Sequence, residues 1–186
     1  MLTKLQRTNM VPLVSASADI GAPSGTVYRL IADYRDGHPR ILPASFFRNL
    51  RVEVGGYGLG TVITFDMLAF GRTQQLRAHI AEPDPGRVLV ETYPDNGSVT
   101  AFTVEALGAF SSRVTIATAL RVKPGILGSL ERWLLRRFLQ RVYAAELELI
   151  DEQARSDYAH ALDSAIRHEN RPPQLRSRTT ALRTPR

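Results

Sequence analysis

Apolar and polar residues follow two different periods along this chain, and the changes of period divide it into segments. Residues 13–20 (Leu-Val-Ser-Ala-Ser-Ala-Asp-Ile) predict a short strand ending at Gly21. Pro23 and Ser24 are helix-start residues. Val27, Leu30, Ile31 and Tyr34 then recur at i, i+3, i+4 and i+7, the pattern of a helix with one apolar face. Gly37 and Pro39 close that helix, and residues 40–43 add one short turn. From residue 46 to 122 the period becomes two. Strands are expected at 47–54, 60–70, 73–82, 87–93, 98–106 and 113–122. The breaks between them are dense in turn residues: Gly55-Gly56-Tyr57-Gly58, Gly71-Arg72, Pro83-Asp84-Pro85-Gly86, Pro94-Asp95-Asn96-Gly97 and 108–112. Connections this short join antiparallel neighbours, because a parallel pair needs a crossover. Pro124-Gly125 then opens a long helix whose expected apolar stripe is Leu127, Leu130, Leu134, Phe138, Val142, Ala145 and Leu149. Arg132, Arg136, Arg137 and Arg141 lie largely off that stripe.

This order specifies an α+β domain: a strand, two short helices, an antiparallel meander and a long C-terminal helix. A curled sheet of six to seven strands with one helix laid in its hollow leaves space at an end, which is either filled by side chains or left as a cavity. The expected organisation is an N-terminal lead (1–12), the domain (13–155), a helix extension (156–167) carried by the spacing of Tyr158, Leu162 and Ile166, and a basic disordered tail (168–186).

Charge changes the picture only after it is located. The net charge is +6. Six arginines against Glu169 make residues 166–186 strongly basic, whereas residues 1–165 carry 18 basic and 17 acidic side chains. A nucleic-acid partner is therefore not expected; the tail and helix extension suggest at most a homodimer or a weak contact with an anionic surface. The chain has no cysteine, which excludes disulfides and thiol chemistry. No apolar run reaches the length of a membrane span, and no leader-like segment is read, so the expected location is the cytoplasm. His79, His160 and His168 lack metal-ligand spacing, and no metal or other cofactor is expected. Gly55–Gly60 precedes a strand and reads as a turn, not as a dinucleotide loop.

The segments resemble the SRPBCC, or START-like, superfamily and its polyketide cyclase and lipid-transport branch. The resemblance covers about residues 13–155. It rests on Ala16-Ser17-Ala18-Asp19-Ile20 and Ala22-Pro23 before Val27-Tyr28-Arg29-Leu30-Ile31-Ala32-Asp33, on Gly55-Gly56, Gly58 and Gly60-Thr61, and on Glu82-Pro83 with Pro85-Gly86-Arg87. Phe102-Thr103-Val104-Glu105, Ser112-Arg113-Val114-Thr115-Ile116 and the helix from Gly125-Ile126-Leu127-Gly128 continue it, and His38-Pro39-Arg40-Ile41-Leu42-Pro43 is similar to an uncharacterised bacterial subgroup. The resemblance implies a helix-grip fold with a cavity between sheet and C-terminal helix. It implies no single activity, because such proteins bind, transport, cyclise or hydroxylate different ligands.

Alternation suggests which residues line that cavity: Ile63, Phe65 and Met67; Leu76, Ala78 and Ile80; Phe102 and Val104; Ile116 and Thr118; with Leu130, Leu134 and Phe138 from the helix and Tyr34 at the rim. This interior is mostly apolar and fits a hydrophobic small molecule. Its leading reading is a carrier or sensor; the alternative is a cyclase or aromatase, and a further alternative is an interaction module formed by the C-terminal helix and basic tail. Candidates for chemistry are His38, Asp66, Arg77 and Tyr93. Asp66, Arg77 and His79 alternate with the apolar sets and should face solvent, joined by an Asp–Arg pair across strands; the opposite phase would bury them together. Glu91 and Tyr93 share a face whose direction Val88 and Val90 leave open.

Overall fold

A computed structural model describes residues 13–120 and 126–169. Seven strands form one antiparallel sheet: β1 (Val14–Ile20), β2 (Phe47–Val54), β3 (Val62–Ala69), β4 (Arg72–Asp84), β5 (Val88–Tyr93), β6 (Ser98–Gly108) and β7 (Ser111–Ala119). Their order is β1-β7-β6-β5-β4-β3-β2, a meander with β1 added beside β7. Two short helices, α1 (Ser24–Ala32) and α2 (His38–Ile41), follow β1, and α3 (Ile126–Glu169) closes the fold. This is the helix-grip arrangement expected from the sequence. The lead (1–12), the Pro124-Gly125 helix opening and residues 170–186 lie outside the described residues, while 168 and 169 still belong to α3.

The sheet curls because its ladders slip. Register shifts fall between Arg48 and Arg51, between Ala81 and Asp84, and between Ala106 and Gly108. Each adds local twist and bends the strand concerned. The concave face carries Ile63, Phe65, Leu76, Ala78, Leu89, Phe102, Val104, Val114 and Ile116, packed against α3 and the two short helices. The other face holds a small cluster of Val88, Val90, Ala101 and Ala119. That second cluster explains why alternation in β5 was ambiguous: both of its faces are buried.

The long helix grips with a face rotated from the one expected. Leu139, Val142, Tyr143, Glu146, Leu147, Ile150 and Ala154 are buried, whereas Leu130 and Leu134 are exposed. The cause is where α3 is held. Gly21 N–H donates to Asp151 Oδ1 (2.8 Å), and Arg40 reaches Gln153 Oε1 and Asp157 Oδ1 (2.7 Å) from α2. These contacts seat the middle of the helix on the end of β1 and on α2, so the apolar positions facing the sheet there define the buried face. The N-terminal turns pass beyond it.

α1 also ends earlier than its apolar spacing suggests, at Ala32. Asp33 Oδ1 accepts the N–H groups of Arg35 (3.0 Å) and Asp36 (3.2 Å), a side-chain turn that replaces the helical ladder. The short turn thus begins at His38, with Pro39 in its first turn, and stops at Ile41. No described helix is long and apolar enough to cross a membrane.

Ile150 is fully buried between α3 and the sheet. Truncating Ile150→Ala removes that contact and leaves a cavity, so the expected loss is about 2–5 kcal/mol, measured as a lowered urea midpoint with an unchanged slope.

Candidate functional site

One row across the sheet determines the chemistry of the interior. Val14, Thr118, Thr100, Glu91 and Ile80 are successive register partners on β1, β7, β6, β5 and β4. All five are buried, and the middle three are polar. Thr100 and Thr118 bond through their hydroxyls (2.6 Å), and Thr118 bonds the Tyr143 hydroxyl of α3.

Glu91 receives its partners from two directions. Tyr93, two residues along β5, donates its phenol to Oε2, and Tyr34 donates to Oε1 at 2.7 Å. Tyr34 can reach because the segment after α1 is clamped to the glycine turn. Tyr34 N–H bonds the Gly56 carbonyl (2.9 Å), Gly58 N–H bonds the Ala32 carbonyl (3.0 Å), and Asp33 bridges Tyr57. Gly58 has φ +53, and a Cβ there would lie 2.6 Å from the Glu82 carboxylate, which binds Tyr28 (2.5 Å) and Leu59 N–H (2.8 Å). Glycine avoids both the left-handed strain and displacement of the Glu82 carboxylate at that position.

His38 completes the cluster. Its Nδ1 lies 2.8 Å from the Ile31 carbonyl, which can only accept, so Nδ1 carries the proton and Nε2 the lone pair. Nε2 is 3.8 Å from Glu91 Oε1. The ring stacks on Tyr34 (4.4 Å) and meets Phe102 edge-on (5.8 Å). Burial lowers the His38 pKa, against the opposing pull of Glu91, and the imidazole is neutral. Burial, then the Glu91 charge, raises the pKa values of Tyr34 and Tyr93, which stay protonated donors.

Glu146 faces this cluster from α3. It is 3% exposed, and burial followed by the charge of Glu91 pushes its pKa well up. No described residue hydrogen-bonds its carboxyl group, which is open to the cavity. The site therefore holds two carboxyl groups in different surroundings: Glu91, which accepts from two phenols, and Glu146, whose raised pKa favours the neutral acid.

These groups form the floor of a cavity of about 460 Å³. Ile63, Phe65, Met67, Leu76, Phe102, Leu139 and Val142 line its walls, and Phe70, Arg72 and Asn96 stand at its exposed mouth. Leu135 near the mouth and Glu146 on the floor are 11 residues apart, roughly 16 Å along the helix. At the mouth Phe138 meets Phe46 edge-on (5.6 Å) and Phe70 at a tilt (5.2 Å). Phe70 and Gly71 form the two-residue β3–β4 turn with φ of 50 and 73. Phe70 thus carries a left-handed backbone costing about 1–2 kcal/mol, and its ring rests on Phe138.

Among the residues singled out from sequence, the cavity brings together His38 and Tyr93 with Ile63, Phe65, Met67, Leu76, Phe102, Thr118 and Phe138. Tyr34 lies behind Glu91, fully buried. Ala78, Ile80, Val104 and Ile116 belong to the packed core and do not line the cavity, while Leu130 and Leu134 face outward. Asp66 and Arg77 are outside it, and they are not paired. Register sets Asp66 against Gln75 and Thr64 against Arg77; Asp66 accepts from Asn49 (2.7 Å), and Arg77 binds Glu53 (2.8 Å). Glu146 escaped the sequence reading because it lies off the apolar stripe expected there. Its spacing from Val142, Tyr143 and Ile150 is the signal that marks it. Among the described residues, no group of three His, Asp or Glu side chains is placed to hold a metal ion.

No protein-family model matches the chain, and no curated protein matches it in sequence. Solved structures do. The KanY protein is 24% identical with a TM-score of 0.69 over 79% of this chain and 99% of its own. The Zhui aromatase/cyclase from Streptomyces sp. R1128 is 18% identical, with a TM-score of 0.62 over 76% and 92%. A START superfamily protein from Mycobacterium smegmatis is 14% identical, with a TM-score of 0.61 over 75% and 97%.

The buried acid gives a pH signature. A carboxyl whose folded pKa is raised holds its proton where the unfolded chain has lost it, so it destabilises the fold as pH rises above the ordinary value of 4.5. Replacing Glu146→Gln, which keeps a donor, should raise the urea midpoint at neutral and alkaline pH and leave it unchanged below 4.5. A midpoint equal to the parent protein's at all pH values would show that Glu146 is ionised and solvated. With a curved seven-stranded sheet, two short helices at its floor and one long helix across its hollow, the chain has the START-like helix-grip fold found in START superfamily proteins and polyketide aromatase/cyclases.

Proposed function

We propose that the cavity binds a hydrophobic small molecule carrying a carbonyl group and performs acid–base chemistry at its inner end. The observation that carries this reading is the pairing of His38 with Glu91 on one buried floor that also holds Glu146, whose pKa burial raises. A cavity of about 460 Å³ lies within the usual range of small-molecule sites, roughly 300–1,000 Å³. Its apolar walls favour a hydrophobic body. Its floor is more than a shape filter.

The roles follow from the hydrogen bonds. Nδ1 of His38 is committed to the Ile31 carbonyl, which leaves Nε2 as the proton acceptor. When Nε2 takes a proton from carbon beside the ligand carbonyl, the imidazolium faces the Glu91 carboxylate at 3.8 Å. Glu91 cannot turn away, because both of its oxygens are held by phenols. Glu146, still protonated, donates to the carbonyl oxygen as negative charge develops there. The product is an enol, the reactive form for ring closure by aldol-type condensation and for the loss of water that follows. The likeness to an aromatase/cyclase supports this class of reaction without identifying the substrate.

A non-enzymatic carrier is the second reading, favoured by the apolar walls. One experiment separates them: exchange of the α-protons of 2-tetralone in D2O, followed by NMR, beside its binding affinity. General-base catalysis predicts exchange above the buffer rate, falling about 10²–10⁴-fold in His38→Asn with affinity kept, and falling also in Glu146→Gln. Binding of 2-tetralone without accelerated exchange in the parent protein would leave only the carrier.

A further inference from the structure

The overhanging end of α3 presents a surface that the cavity does not use. Leu130, Trp133 and Leu134 are 54%, 56% and 41% exposed. With Arg137 and Arg141 they fall at i, i+3, i+4, i+7 and i+11, one face of the helix. Arg137 lies over the Trp133 ring at 5.9 Å, and Arg132 and Arg136 flank the face. Across residues 128–141 four arginines stand against Glu131 alone, a net +3, whereas the whole of 1–165 nets only +1. The basic charge of the folded body is therefore concentrated here.

The position matters as much as the composition. Phe138, one turn on from Leu134, meets the exposed Phe70 at a tilt at the cavity mouth. Phe70 keeps a left-handed backbone there, although glycine or asparagine would hold the turn without that cost. An apolar ridge edged with arginine thus borders the mouth of the cavity of about 460 Å³.

We propose that this end of α3, with Phe70, docks on an anionic lipid surface and sets the cavity mouth against it. Leu130, Trp133, Leu134 and Phe70 enter the headgroup region, while the arginines meet lipid phosphates. A convex ridge suits a deformable surface, which needs no complementary groove. A second copy would bring the same positive charge against it. A hydrophobic ligand could then pass between bilayer and cavity with little exposure to water. The proposal does not depend on the chemistry assigned to the floor, and either can fail alone.

Trp133 is the chain's only tryptophan, so its fluorescence reports the contact directly. The test mixes the full chain with vesicles of phosphatidylcholine, alone or with phosphatidylglycerol. The expected result is a blue-shifted Trp133 emission and co-sedimentation only with the anionic vesicles, both reversed by high salt. Changing Arg132→Gln, Arg136→Gln and Arg137→Gln together should weaken partitioning on the order of a hundredfold. Leu130→Ser with Leu134→Ser should abolish the emission shift, and both variants should keep the parent's urea midpoint as evidence of folding. No association with anionic vesicles would overturn the proposal. So would salt-sensitive binding to polyglutamate without vesicle binding, which would point to an acidic protein, or self-association that vesicles do not displace.

Discussion

A carboxylate on the buried face of a sheet must be supplied with donors, or it costs several kcal/mol to keep there. Glu91 imposes that condition, and much of the surrounding structure answers it. Tyr93 meets it from the same strand, but Tyr34 has to arrive from the connection after α1. That connection is held in place by Asp33, by the glycine turn at 55–60 and by Glu82 beneath it. His38 follows four residues after Tyr34 and stacks on its ring. The two short helices are thus more than a cap on the sheet. They deliver the phenol and the imidazole that surround the Glu91 carboxyl group, and in doing so they make the floor of the cavity.

Glu146 answers the opposite condition. It comes from a separate element, and burial followed by the charge of Glu91 pushes its pKa well above the ordinary carboxyl value. The helix holds this arrangement because its middle is tied to β1 through Gly21 and Asp151 and to α2 through Arg40, on the same side as the floor.

The fold was legible in the sequence for physical reasons that do not extend to the site. Period-two stretches between glycine and proline turns located the strands, because strand pairing is local in a meander. The β2 bounds, 47–54, are those expected. Side-chain direction was readable where one face is wet, as in β4: Leu76 and Ala78 point in, Arg77 and His79 out. It was not readable in β5, where Val88 and Val90 are buried on the far side and Glu91 carries no mark of direction. The helix misled for a different reason. An apolar stripe reports burial only where something lies beneath it, and Leu130 and Leu134 continue the period past the edge of the sheet. Glu146 lies off the stripe expected from the sequence, although it is a polar group on the face the fold buries.

The buried polarity of this cavity lies at its inner end. Phe46, Phe70 and Phe138 cluster beside the entrance, where Arg72 and Asn96 face solvent; aliphatic and aromatic walls follow, and His38, Glu91 and Glu146 lie on the floor. For the proposed carbonyl ligand, entry body-first would press its apolar end against these polar groups and leave Glu146 without an acceptor, whereas entry with the carbonyl leading gives Glu146 one. In the proposed function the floor also discriminates by charge: a carboxylate-ended lipid would set a second carboxylate beside Glu91, while a neutral carbonyl can accept from Glu146 with no charge to bury. That reading predicts a preference for a ketone over a fatty acid of equal hydrophobic length.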